Sequence, residues 1–233
     1  MIAGKNFVSR LIKLEVPVPV GVRMEARRPG TRDRVLAAAE RLFAEYGYDG
    51  VSIRQIGAEA DAQIALINYH FGTKEDLYRA VFEHRIAPVN ERRRAALARA
   101  LATPGSPPRL VAVLDALARP WIEMRGTEEG RQYTRLIARE VNDPREAERG
   151  IVRDLLDPLA VEFLTAMEAV LPDRDRGDVH AAYHFLTSTL LLMLANPERV
   201  KRLSGDLIDD RSTDAAVGRL VSFVARSLRA DDP

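Results

Sequence analysis

Between Thr31 and Phe82, apolar residues return every three or four positions in four short bursts, separated by gaps of only a few residues. That spacing places them on one face of a 3.6-residue helix, and links this short leave room only for helix packed directly on helix. The first burst is Val35, Ala38, Ala39, Leu42, Phe43 and Tyr46, closed by Gly47, a residue that readily takes the left-handed conformation that ends a helix. Ser52 opens the second, with Gln55 three residues on to complete a capping box and Ile53, Ile56 and Ala60 as its inner face. After a break near Asp61 and Ala62, a third helix is predicted from about Gln63 to Phe71. Gly72 ends it, and Thr73 with Asp76 opens a fourth through Leu77, Ala80, Val81 and Phe82. Two short helices joined by about three residues form a helix-turn-helix. The first helix and the start of the fourth close a small core around it.

The pattern stays helical after Pro88. A helix carrying Arg92, Arg93 and Arg94 fades near Thr103, Pro104 and Gly105. The next runs from about Pro108 to Met124, burying Leu110, Leu114, Leu117 and Trp121, with a kink expected at Pro120. Glu128 to Val141 follows. A long helix is predicted from Pro144 to Leu171, with Val152, Leu155, Leu156, Leu159, Phe163, Met167 and Val170 on one stripe and a bend at Pro158. Asp178 to Ala195 and Ala215 to Leu228 complete the set. No proline-free stretch alternates strictly over five or more residues, so no sheet is expected. The expected fold class is all-α, with an N-terminal three-helix helix-turn-helix domain over 29–87 and a C-terminal helical bundle over 88–230. Residues 1–28, broken by Pro17, Pro19 and Gly21, read as a disordered basic arm or as sequence upstream of a natural start at Met24, ahead of a third reading as an ordered extension.

Composition removes whole classes of chemistry. With no cysteine there is no disulfide scaffold, iron–sulfur cluster, thiolate zinc site or cysteine nucleophile, and only four histidines remain for metal or acid–base work. His180 and His184 share a helix face as metal ligands can, yet no third ligand accompanies them, so no metal or cofactor is expected. The longest apolar-rich run, Ala181 to Ala195, contains His184, Thr187, Ser188 and Thr189 and is shorter than the roughly 20 residues of a membrane helix. The chain therefore reads as a cytoplasmic protein with no membrane partner. Residues 1–100 carry 17 Lys+Arg against 12 Asp+Glu, and residues 101–233 carry 18 against 22. A basic front and an acidic remainder suggest two tasks.

Three segments carry a family signature as they stand. They are the helix Arg34-Val35-Leu36-Ala37-Ala38-Ala39-Glu40-Arg41-Leu42-Phe43, the link Gly47-Tyr48-Asp49-Gly50-Val51-Ser52-Ile53-Arg54-Gln55-Ile56, and above all Asn68-Tyr69-His70-Phe71-Gly72-Thr73-Lys74-Glu75-Asp76-Leu77. On these residues the stretch from Thr31 to Arg85 resembles the DNA-binding domain of the TetR family of transcriptional regulators. The resemblance implies a ligand-binding and dimerisation domain in the remaining helices and a homodimer that binds double-stranded DNA. The sequence departs from the family in two places. Asp61 stands in the turn where glycine is usual, and Gly57 stands where alanine is common, at a cost to its helix of roughly 1 kcal/mol.

The same residues suit DNA on physical grounds. A recognition helix presents polar or small side chains at its N-terminal end to base edges in the major groove. Here that end reads Gln63, Ile64, Ala65 and Leu66: Gln63 can pair bidentately with adenine, and Ile64, Ala65 or Leu66, whichever of the three faces outward, can touch a thymine methyl. Asn68 follows as a further DNA-binding candidate, and Tyr69 and His70 lie toward the far end of the helix, in reach of phosphate oxygens, whereas Phe71 is expected in the core. His70 has no partner carboxylate that would make it a catalytic base. Ser52 and Thr73, at helix starts, are candidate phosphate ligands. Lys74 lies in a first turn, where helix electrostatics favours an acid, so phosphate explains it better than helix stability does. Arg54 lies one turn into the second helix, and the resemblance implies that this neighbourhood approaches the DNA backbone or minor groove.

The helices at Asp178–Ala195 and Ala215–Leu228 are the expected dimer interface, with Phe185, Leu186, Leu190, Met193, Leu194, Val217, Leu220, Val221, Phe223 and Val224 as candidates. Trp121, Met124, Tyr133, Arg135, Arg139, Tyr183 and His184 are polar or aromatic residues that could line an effector pocket. A palindromic operator, release on binding a small molecule, and repression complete the expectation. The rival is a helical enzyme or small-molecule carrier. Against it, the sequence offers no nucleophile–base pair, metal constellation or phosphate-binding glycine loop.

Overall fold

The computed structural model describes residues 30–228 apart from 103, 105 and 209–211, so the expectation for residues 1–28 lies outside the described residues. The helices are α1 (Thr31–Tyr46), α2 (Ile53–Ala60), α3 (Ile64–Phe71), α4 (Lys74–Ala102), α5 (Ser106–Glu123), α6 (Glu128–Val141), α7 (Glu146–Arg149), α8 (Ile151–Leu155), α9 (Asp157–Val170), α10 (Arg176–Ala195), α11 (Pro197–Ser204) and α12 (Thr213–Ser227). No strand occurs among the described residues. The all-α reading holds.

Caps place the short helices. The Ser52 hydroxyl accepts from the Gln55 amide at 3.3 Å while the Gln55 side chain accepts from the Ser52 amide at 2.8 Å, the reciprocal box that the sequence predicts. Thr73 and Asp76 repeat the device at the start of α4, with bonds of 3.1 and 2.9 Å. Thr127, Asp175 and Ser212 cap α6, α10 and α12.

Helix α1 packs on α2, α4 and α6, and α5 lies against α4 and α12. Phe43, Ile56, Ile67, Leu77 and Phe82 fill the N-terminal end of a core that continues through Leu114, Leu117, Tyr133, Leu136, Phe163 and Leu186. Each such side chain contributes about 1.5–3 kcal/mol on burial. Phe71 is buried as expected, whereas Tyr46 is exposed.

Three boundaries differ from the sequence reading. Helix α4 runs unbroken through Pro88, because Phe82, Ile86, Val89, Arg93, Leu97 and Ala100 keep one buried stripe across it. That burial outweighs the backbone bond lost at proline. The expected domain boundary at 87–88 thus falls inside a helix. The predicted long helix over 144–171 is instead three pieces, interrupted at Gly150, which is left-handed (φ 62°), and at Leu156. Pro158, where a bend is expected, follows the interruption at Leu156 and sits in the first turn of α9, where its missing donor has no partner to lose. Helix α11, polar and begun by Pro197, was not anticipated.

Candidate nucleic-acid interface

Helix α3 is apolar in sequence yet buries only Ile67 and Phe71. Gln63, Ile64, Ala65, Leu66, Asn68, Tyr69 and His70 are all exposed, Tyr69 by 82%. An eight-residue helix that holds itself down by two side chains and offers the rest outward is shaped to meet something else. Gln63 is the N-cap residue, and its side chain makes no capping hydrogen bond. Arg54 is exposed on α2 nearby in sequence.

The turn before α3 explains both departures from the family pattern. Asp61 is the one non-glycine residue with positive φ among the described residues (φ 48°). Arg34 of α1 reaches across to donate to the carbonyls of Ala60 at 3.0 Å and Asp61 at 3.1 Å, holding this backbone in place. The chain then folds back so tightly that a Cβ on Gly57 would lie 2.8 Å from the Ala62 carbonyl oxygen. Alanine at 57 would therefore force a shift in the same turn that tolerates Asp61. Gly72 after α3 also has positive φ (79°), with the Asp76 carboxylate 2.7 Å from where its Cβ would be.

The two hydroxyls expected to hold phosphate are already engaged. The Ser52 hydroxyl donates to Gln55 at 2.8 Å and the Thr73 hydroxyl to Asp76 at 2.7 Å. The bonds from Thr73 keep the Asp76 carboxyl below its usual range. Lys74 is half-buried, its ammonium 4.2 Å above the Tyr48 ring, and burial pulls its pKa down. The ring face attracts the cation and fixes it at the rim of α3.

Behind this rim, α6 to α8 grip the helix-turn-helix. Glu140, fully buried, accepts from the Tyr78 hydroxyl at 2.9 Å and from Arg149 at 2.8 and 3.0 Å. The Arg149 guanidinium lies 5.6 Å from the Tyr48 and Tyr78 rings. Burial opposes its charge, but Glu140 and Asp143 outweigh that and hold its pKa above the usual guanidinium range. Burial, then Glu140, pushes the Tyr78 phenol up. Arg79 donates to Asp154 at 2.6 Å, Arg139 donates to the Glu45 carbonyl at 3.0 Å, and Arg145 pairs with Asp49. None of these partners was foreseen. Glu140 and Arg149 lie in strongly charged segments, and nothing in the sequence separates them from solvated neighbours.

The effector candidates divide into two groups. Trp121, Tyr133 and Tyr183 are buried, and the first two stack parallel at 6.4 Å. Arg139 and His184 are exposed and do not join them, because Arg139 turns toward the end of α1. Arg93 of α4, not singled out by the sequence, lies among the buried group, 4% exposed, 5.7 Å from the Trp121 ring and 5.0 Å from Phe163. Burial lowers its pKa to about 10, so it stays charged at neutral pH. His180 hydrogen-bonds Glu168 at 2.7 Å, and no metal-binding group of three or more His, Asp or Glu side chains occurs among the described residues. No helix of the described residues is long and apolar enough to cross a membrane.

Of the expected dimer residues, Leu186, Leu190, Leu194, Val217, Leu220, Val221 and Val224 face the chain's own core. Phe185 (66% exposed) and Phe223 face outward, joined by Leu192. A groove of about 700 Å³ between α10 and α12 is lined by Met193, Leu220 and Phe223.

The chain matches two family profiles, one described as bacterial regulatory proteins of the tetR family over residues 35–81 and the other as the tetracyclin repressor-like C-terminal domain over residues 115–226. It is 39% identical over 71 residues to the HTH-type transcriptional repressor NicS of Pseudomonas putida, a match covering 30% of this chain and a third (33%) of that protein's length. It is 29% identical over 158 residues to the HTH-type transcriptional dual regulator CecR of Shigella flexneri, covering 66% of this chain and 70% of that one. The fold is similar to that of a TetR-like transcriptional regulator from Rhodococcus sp. RHA1, with a TM-score of 0.59 at 22% identity over 88% of this chain and 100% of the other.

Proposed function

The chain belongs to the TetR family of bacterial regulatory proteins, and from that premise we propose that it is a ligand-responsive transcriptional repressor that binds a palindromic operator as a homodimer. The observation that carries this reading is α3: seven of the eight positions from Gln63 to His70, all but Ile67, stand exposed, with Lys74 and Arg54 close by in sequence. Gln63, Ile64, Ala65 and Leu66 meet base edges, the apolar ones through thymine methyls. Asn68, Tyr69 and His70 contact the sugar-phosphate backbone. Because Ser52 and Thr73 spend their hydroxyls on caps, they contribute chiefly by presenting the first-turn amides of α2 and α4 to phosphate. Lys74 and Arg54 add the charge.

The division of labour is a DNA-binding module over 29–87 and an effector and dimer module over 88–230, joined by the continuous α4 and by the Glu140–Arg149–Tyr78 cluster. Phe185, Leu192 and Phe223 supply the apolar face for a second copy. One helix-turn-helix reads few base pairs, so two copies across a palindrome supply the specificity. An effector releases the operator if it binds the released arrangement better than the DNA-bound one.

Electrophoretic retardation and footprinting on DNA flanking the gene test this reading. A protected palindrome is expected, with affinity falling steeply as salt rises. Lys74→Ala lowers the log–log salt slope by about one. Failure to retard any genomic fragment in dilute buffer overturns the reading. Light scattering tests the dimer: Phe223→Glu is expected to give a folded monomer, and an unchanged mass removes that face from the interface.

A further inference from the structure

Arg93 poses a problem that its own chain does not solve. Its guanidinium is enclosed where α4 meets α5, α9 and α10, beside Trp121, Phe163 and Tyr183. Ring faces attract a cation from above or below its plane, but the N–H groups of a guanidinium lie in that plane. In the plane, only one bond is found among the described residues: one terminal nitrogen donates to Asn90 at a long 3.4 Å, and Asn90 is itself tied to the Leu155 carbonyl at 3.1 Å. The Nε–H is buried and has no hydrogen-bond partner. Among the described residues no carboxylate lies within 4 Å of this guanidinium. Glu162, the nearest acid in electrostatic effect, is committed to Arg94 at 2.9 Å on the surface.

A buried, charged and half-satisfied guanidinium is costly. A flat fork with an open Nε–H, walled by aromatic rings, is the geometry that receives a carboxylate carried on an apolar body. Pro120 precedes Trp121 in α5 and leaves that helix one backbone hydrogen bond short beside the guanidinium.

We propose that Arg93, enclosed by Trp121, Phe163 and Tyr183 with its Nε–H unpaired, is the anion-recognising group of the effector site, and that the effector is an apolar carboxylate. This rests on the reading of the C-terminal helices as an effector module and names the ligand class that module takes. The carboxylate completes the guanidinium's hydrogen bonds, and the apolar body displaces ring-to-ring packing around Trp121.

Trp121 is the chain's one tryptophan, so its fluorescence reports on this site alone. The intact protein is titrated with 2-naphthoate and with octanoate, each against its neutral amide, following Trp121 emission and thermal midpoint. At least one acid is expected to bind at least tenfold tighter than its amide and to raise the midpoint. The arm that responds distinguishes a flat aromatic body from an alkyl chain. In Arg93→Met the preference for acid over amide is expected to fall to about one, and Arg93→Lys is expected to keep part of it. Arg93→Lys also serves if Arg93→Met does not fold. Acids that bind no better than amides overturn the proposal, as does a folded Arg93→Met that keeps the preference. Retardation of flanking DNA by the same preparations separates the two readings. DNA binding without acid preference removes the effector class alone, and acid preference without DNA binding removes the regulator reading alone.

Discussion

Around α3 the side chains of interest point outward from a small, well-capped scaffold, whereas around Arg93 they point inward and lack partners. Ile64, Leu66 and Tyr69 are apolar or aromatic groups left in water. Arg93 and Tyr133 carry polar atoms left out of it. Both arrangements cost free energy in the isolated chain, and in both the cost falls where a partner would relieve it. The outward surface asks for an extended, charged surface with methyl groups to cover. The inward one asks for a compact body with one anionic group.

The contrast can be broken in several places. The largest effect is expected at the joint between the two regions. Glu140→Ala leaves the buried Arg149 cation to Asp143 alone and the Tyr78 hydroxyl without its acceptor, and should cost about 3 kcal/mol in urea unfolding. A cost under about 1 kcal/mol would mean that α6 to α8 do not hold the helix-turn-helix. Tyr69→Ala should weaken operator binding roughly tenfold, about 1.4 kcal/mol, and leave stability within about 0.5 kcal/mol. If unfolding shifts while binding does not, the outward reading of α3 fails. Gly57→Ala gains about 1 kcal/mol of helix propensity and loses more to the Ala62 carbonyl. A net destabilisation of about 1 kcal/mol is expected, where an ordinary exposed helix would gain stability. The smallest effect sharpens the inward side: Tyr133→Phe removes a buried hydroxyl with no partner and should raise stability by about 1 kcal/mol. A loss instead would show that the hydroxyl is satisfied in solution.

Legibility in the sequence follows the same divide. The helix starts at Ser52 and Thr73 and the place of the turn at Asp61 could be read because their signals lie within four positions of one another, whereas the hold of Arg34 on that turn, 27 residues away, could not. Continuity of α4 through Pro88 could not, since it is decided by what its buried stripe packs on. Arg93 between Arg92 and Arg94 looked like part of a solvated run, and only the meeting of α4 with α5 and α9 turns it inward. Glu140 and Arg149 are nine residues apart, but Tyr78 is 62 residues from Glu140, so their cluster exists only in three dimensions. Leu186 and Leu190 were read toward a second copy because apolar content alone does not say which side of a helix is already taken.

One consequence follows from α4 being a single rod. Lys74 stands in its first turn and Arg93 nineteen positions later, about 28 Å along the axis at the rise of an α-helix. Such a rod acts as a lever: a tilt of about 4° at the far end swings the near end by about 2 Å, more than a phosphate contact tolerates. Pro88, about three-quarters of the way from Lys74 to Arg93, removes one backbone hydrogen bond from that lever, so its stiffness is itself a quantity on which selection can act.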